Sequence, residues 1–201
     1  MINRSVTIGR QYASGGREIG KLLSKKLDMP YYDYELVLLA AEKYGLNPGV
    51  LKEKDEIRTD SLLYNLAVLT SGNARNFGKV MEPYEIFQAE CETIRRLSEK
   101  HPAIFIGRCA DLALMEAGRP LRVFIYASDM EDWIKRAHEV DHIDMKNIEF
   151  YIKRKDMKRK SYYNSFSQTE WGRLESYDLC LNSSALGYEK CAEIIAEALE
   201  G

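Results

Sequence analysis

The sequence predicts an α/β fold: a five-stranded parallel sheet flanked by helices. Three observations carry that expectation. The first 32 residues run strand, glycine-rich loop, helix, strand, which is a βαβ unit. Five short β-rich stretches are separated by segments whose apolar residues recur three and four apart. With 201 residues, 45% hydrophobic and 30% charged, the chain has the composition of one ordinary globular domain.

The elements follow in order. Ser5–Ile8 is short and β-rich, and Gly9 is expected to stop it. Residues 9–16 hold three glycines and a serine and read as a loop. Ile19, Leu22, Leu23 and Leu27 then form one apolar helical face. Pro30-Tyr31-Tyr32 is the second strand. Residues 34–99 show no convincing strand. They read as helices at 35–44, from Asn47-Pro48, at 61–70 and from Pro83 to Lys100, with a loop at 71–81. Strands return at Ala103–Ile106, Leu121–Tyr126 and Tyr177–Leu181. The helices between and after them are expected at 112–116, 129–139, 144–163 and 188–199.

Composition excludes several classes. Lys plus Arg total 29 and Asp plus Glu 31, a formal charge of −2, so the chain is no globally basic nucleic-acid binder. The apolar run Leu36–Ala41 is far short of the ~20 residues that span a bilayer. The start, Met1-Ile2-Asn3-Arg4, has no apolar signal core, so a cytoplasmic protein is expected. The four cysteines, 91, 109, 180 and 191, have no CxxC spacing and read as reduced, buried thiols.

The loop Gly9–Gly20 carries the chemistry. Between a first strand and a first helix, glycines let the backbone wrap a phosphate with its N–H groups. The helix N-terminus adds donors and partial positive charge. Ser14, Gly15, Gly16, Arg17 and Glu18 are the candidate phosphate ligands, and Arg17 offers a planar fork. The usual phosphate-loop pattern is G-x-x-x-x-G-K-[ST]. Here five residues separate Gly9 from Gly15 and six separate it from Gly16, and no lysine follows. With Gly16 as the second motif glycine, Arg17 takes the lysine place and Glu18 the hydroxyl place. With Gly15, the lysine place is Gly16. A plain strand-to-helix turn is the alternative to either.

Several stretches together resemble the cytidylate kinase-like family. They are Thr7–Gly20, Met29-Pro30-Tyr31-Tyr32-Asp33-Tyr34-Glu35-Leu36, Phe105-Ile106-Gly107-Arg108-Cys109-Ala110-Asp111, Leu121–Arg136 and Tyr177–Ser184. The resemblance spans nearly the whole chain in order. It implies a three-layer P-loop kinase fold within a single domain, with a core at 1–33 and 101–201. It also implies a helical acceptor-binding insertion at about 34–100 and a lid at about 140–172. The implied reaction moves the γ-phosphoryl group of ATP, with Mg²⁺, to a nucleoside monophosphate such as CMP or dCMP. The implied partner is that substrate, with no DNA, RNA or membrane, and a homodimer is compatible with it.

Phosphoryl transfer needs positioning and positive charge more than covalent chemistry. Arg108, just past the third strand, is the expected acceptor-phosphate ligand. Asp33, past the second strand, binds the acceptor or caps the next helix. Asp111 binds Mg²⁺ or the acceptor, or lies on a helix face. Ile106 and Cys109 stand on either side of Gly107-Arg108, where cytidylate kinases carry an acid before that pair, so the metal ligands are not identified. The run 153–160 holds six basic residues and one acid. Arg154 and Lys158 share one helical face and Lys155 and Arg159 another. Arg154 and Arg159 are the expected catalytic arginines of the lid, beside Arg17, with Arg136 a weaker candidate. The run can also be a solvated face. His138 and His142 are spaced as a metal pair but lack a third ligand. Tyr162, Tyr163 and Trp171 stack a base or pack the lid on the core. The rival readings are a catalytically inactive nucleotide-binding regulator and a kinase of another small acceptor.

Overall fold

The computed structural model describes residues 2–33, 83–139, 142 and 146–200. The helices and loop expected between 34 and 82 lie outside the described residues. The sheet consists of β1 (Val6–Arg10), β2 (Tyr31–Tyr32), β3 (Ile104–Ile106), β4 (Leu121–Tyr126) and β5 (Leu179–Asn182). The helices are α1 (Gly16–Leu27), α2 (Pro83–Lys100), α3 (Ala110–Leu114), α4 (Met130–Glu139), α5 (Ile148–Phe166), α6 (Ser183–Leu186) and α7 (Tyr188–Glu200).

All five strands are parallel, in the order β2-β3-β1-β4-β5. Parallel strands covered on both faces need apolar residues on both, and the central strands have them. Val6, Ile8, Ile104, Ile106, Val123 and Ile125 pack under α1 and α7, against Ile19, Leu23, Ile195 and Leu199. Phe105, from the other face of β3, packs with Ile94, Ala113 and Leu114 of α2 and α3. A third cluster joins Tyr12 and Ala13 to Ala137 of α4 and Ile148 and Ile152 of α5. The result is helices, sheet, helices.

Several boundaries differ from expectation: α3 covers Ala110–Leu114 rather than 112–116, β5 covers Leu179–Asn182 rather than 177–181, and the short helix α6 was not expected. β1 does not stop at Gly9. Its pairing with β4 continues to Arg10 opposite Ile125, because the partner strand is long enough to carry it. Helix α5 begins at Ile148, after a turn at 146–147, and runs on to Phe166, while the expected start at 144 lies outside the described residues.

The chain leaves β1 toward β2 on one side and later places β4 on the other. That reversal opens a crevice at the carboxyl ends of β1 and β3, where open α/β sheets bind ligands.

Candidate functional site

The β1–α1 loop is held in shape from beneath. Ala13 and Gly15 are left-handed, at φ 58° and 78°. A Cβ on Gly15 would run into the Tyr188 ring, and one on Gly16 would lie 2.7 Å from Arg10 Cβ. The glycine pair thus lets α1 begin tight against β1 and α7. The Ser14 hydroxyl points inward and donates to Gln11 O at 2.9 Å and Ile125 O at 3.2 Å. What Ser14 offers a ligand is its amide.

Helix α1 begins at Gly16, which places Arg17 and Glu18 in its first turn. Both charges are paired. Arg17 Nε lies 2.6 Å from Asp33 Oδ2, and Glu18 Oε2 accepts from Arg136 at 2.5 Å. Asp33 also faces Arg10 Nη2 at 3.8 Å. The Arg10 guanidinium lies against Gly107, where any Cβ would strike Nη1. Arg10, Arg17, Asp33 and the Gly107-Arg108 turn therefore meet at one edge of the sheet. Arg10 was not among the sequence candidates. Ending β1 at Gly9 hid that Arg10 is the strand's last residue, the position that faces the crevice.

The turn after β3 is strained. Gly107, Arg108 and Cys109 are all left-handed, at φ 65°, 58° and 51°. Non-glycine residues pay roughly 1–2 kcal/mol each for that conformation. Arg108 Nη1 stands 3.6 Å from Glu90 Oε1, a carboxylate of α2 that is wholly buried. Burial raises the Glu90 pKa, against the pull of Arg108 and the Tyr162 hydrogen bond. Asp111 is buried as well, and its Oδ2 accepts from the Tyr163 hydroxyl at 2.6 Å. Burial raises its pKa too.

Helix α5 lies on the loop. Asp156 Oδ1 accepts the Tyr12 amide at 2.6 Å, and Arg159 Nη1 donates to Arg10 O at 3.1 Å. The Lys155 ammonium lies 5.2 Å from the Tyr151 ring centroid and 6.0 Å from that of Tyr12, and the Arg159 guanidinium 5.6 Å from that of Tyr12. Arg159 thus reaches the loop, as does its i,i+4 neighbour Lys155. Arg154 is exposed and is not brought to the loop. Tyr162 donates to Glu90 at 2.9 Å, and Trp171 meets Phe124 edge-on at 5.2 Å. These aromatics are engaged in packing and in holding carboxylates.

Magnesium uses one or two carboxylates with substrate phosphates and water. The carboxylates nearest the loop, Glu18, Asp33 and Asp156, each contact a guanidinium. Among the described residues no group of three His, Cys, Asp or Glu is placed to hold a metal, His138 and His142 included. Each of these carboxylates already serves a guanidinium, so the described residues hold no preformed Mg²⁺ cage, and a bound nucleotide's phosphates and water would supply most of the ion's ligands. Among the described residues no helix is long and apolar enough to cross a membrane.

Residues 5–185 match the cytidylate kinase-like family. The chain belongs to that family. Its fold recurs in solved structures. An uncharacterized protein from Eubacterium ventriosum ATCC 27560 aligns with TM-score 0.70 and 22% identity, over 98% of this chain and 99% of that one. Shikimate kinase from Acinetobacter baumannii aligns with TM-score 0.53 and 10% identity, over 98% and 93%. Shikimate kinase from Aquifex aeolicus vf5 aligns with TM-score 0.51 and 19% identity, over 98% and 96%. At these identities the likeness is one of fold. No curated protein matches the chain. Family membership supports reading the loop and the arginines as parts of a phosphotransferase site.

Proposed function

We propose that the chain transfers the γ-phosphoryl group of ATP to a nucleoside monophosphate, with CMP and dCMP the first acceptors to test. The supporting observation is that Arg10 and Arg17 share Asp33 beside the glycine loop, Arg159 donates to Arg10 O, and the Gly107-Arg108 turn lies against the Arg10 guanidinium. In this reading the first-turn amides of α1 and Arg17 hold the ATP phosphates. Arg108 and Arg10 hold the acceptor's phosphate, and Asp33 fixes Arg10 and Arg17 in place. Helix α5 brings Arg159 to the reacting groups and excludes water that would hydrolyse ATP. Asp156 holds the Tyr12 amide, so nucleotide entry requires that contact to open.

A coupled assay of ADP release over a panel of monophosphates tests this. Turnover that depends on CMP or dCMP is the expected result. Acceptor-independent ADP release, or none with any acceptor, would overturn it.

Two rivals remain in the same experiment. A nucleotide-binding regulator is favoured by the pairing of Arg17 with Asp33 and of Glu18 with Arg136, which ties up the groups at the motif's lysine and hydroxyl places. It predicts ATP binding without turnover. A kinase of another small acceptor draws on the shikimate kinase neighbours, so shikimate belongs in the panel.

A further inference from the structure

Glu90 is fully buried, yet only one of its oxygens is satisfied. Oε2 accepts the Tyr162 hydroxyl at 2.9 Å. Oε1 has no hydrogen-bond partner and faces Arg108 Nη1 at 3.6 Å. A good charge-assisted N–H···O bond is about 2.7–2.9 Å, so this pair is an ion pair longer than a hydrogen bond. A buried carboxylate oxygen without a hydrogen bond costs free energy, and the fold keeps it only where something else requires the carboxylate there.

What stands there is the strained turn that carries Arg108. The three left-handed residues 107–109 fix where its backbone points. A long arginine side chain meets an anion at lower entropic cost when its guanidinium is already anchored in one orientation. Glu90 supplies that anchor from α2. Tyr162 connects the anchor to the lid. The next residue, Tyr163, donates to Asp111, three residues beyond Arg108. Consecutive residues on a helix diverge, so α5 grips the Arg108 turn from two sides, through α2 and through α3.

We propose that Glu90 is a positioning residue. It orients the Arg108 guanidinium toward the anionic group of the acceptor, and Tyr162 makes that orientation depend on docking of α5. The role rests on the reading of Arg108 as an acceptor ligand given above. It places the selectivity for an anionic acceptor on the α2 side of the crevice and leaves the ATP side untouched.

The test uses the full chain and two variants, Glu90→Gln and Tyr162→Phe, with CMP and ATP as calorimetric probes. Gln is isosteric but uncharged. A misoriented anion ligand should weaken CMP binding about tenfold or more, since small misplacements carry large penalties. ATP affinity should stay within about twofold, as the argument assigns Glu90 no contact with the loop. Tyr162→Phe should act in the same direction, less strongly. In an Arg108→Ala background, Glu90→Gln should have no further effect on CMP. That cycle separates positioning from mere folding support, which would persist without Arg108. Unchanged CMP affinity in Glu90→Gln, or an equal loss in the Arg108→Ala background, would overturn the role. Wild-type protein that binds CMP while Glu90→Gln matches it removes only this inference. Wild-type protein that binds no monophosphate removes the functional reading and the inference together.

Discussion

Arg17 Nε and Asp33 Oδ2 stand 2.6 Å apart, joining the first turn of α1 to the end of β2. Asp33 is buried and also faces Arg10, so one carboxylate holds two guanidinium groups at the mouth of the crevice. Arg17→Ala should cut turnover by on the order of 10²–10³, the penalty for one transition-state donor. Arg108→Ala should do the same. Melting temperatures near wild type would show that the loss is chemical. Near wild-type ADP production from either variant would count against the site.

Gly107 makes room for Arg10. Its φ is 65°, and a side chain there would strike the Arg10 guanidinium. Gly107→Ala should therefore lower stability by roughly 1–2 kcal/mol from backbone strain alone and displace Arg10 as well. Denaturant unfolding measures the first effect. The second shows in a double mutant: Arg10→Ala should recover part of the Gly107→Ala loss, because it removes the atoms that collide. Strictly additive losses would mean that Arg10 does not occupy this position.

Much of the sheet was legible because parallel strands announce themselves locally. Leu121–Tyr126 reads as a strand in sequence and is β4 in the structure. The α1 face of Ile19 and Leu23 packs on the sheet as its spacing requires. The end of β1 was not legible. Whether a strand continues past a glycine depends on its partner, here Ile125 opposite Arg10, 115 positions away along the chain. The site shows the same division. Arg17 and Arg108 sit beside glycines in strand-to-helix turns, and their neighbourhoods can be read in order. Glu90 looks like any helical glutamate until α5 brings Tyr162 to it. Asp156 sits as the single acid of a basic run, and only the fold sets it against the Tyr12 amide. Arg154 and Arg159 look equivalent in sequence, and the angle at which α5 docks separates them.

The Asp156–Tyr12 contact ties α5 to the loop with a charge-assisted hydrogen bond. Such bonds contribute about 1.5–3 kcal/mol when partly buried. Asp156→Ala should loosen the docking of α5 and leave the sheet intact. Amide hydrogen exchange at Tyr12 should then accelerate, while amides in β1 and β4 keep their protection. Unchanged protection at Tyr12 would show that packing of Tyr12 and Ala13 against Ile148 and Ile152 holds α5 without Asp156.

The pH dependence of stability should carry the signature of a buried carboxylate. Burial raises the Asp111 pKa above its unfolded value, outweighing the Tyr163 hydrogen bond. A carboxyl whose pKa rises on folding helps the folded state while protonated. Its contribution is complete below the unfolded pKa of about 3.9 and is lost as pH climbs through the raised native value. Asp178 works the other way. Burial alone would raise its pKa, but hydrogen bonds from the Arg122 amide and guanidinium hold it below the ordinary value. Its contribution is present at neutral pH and is lost only at the acid end. Asp111→Asn keeps an acceptor for the Tyr163 hydroxyl and removes the charge. Its melting temperature relative to wild type should therefore rise between pH 4 and pH 8, and the two proteins should converge toward the acid end. Parallel curves across that range would mean that Asp111 ionises in the folded protein as easily as in water.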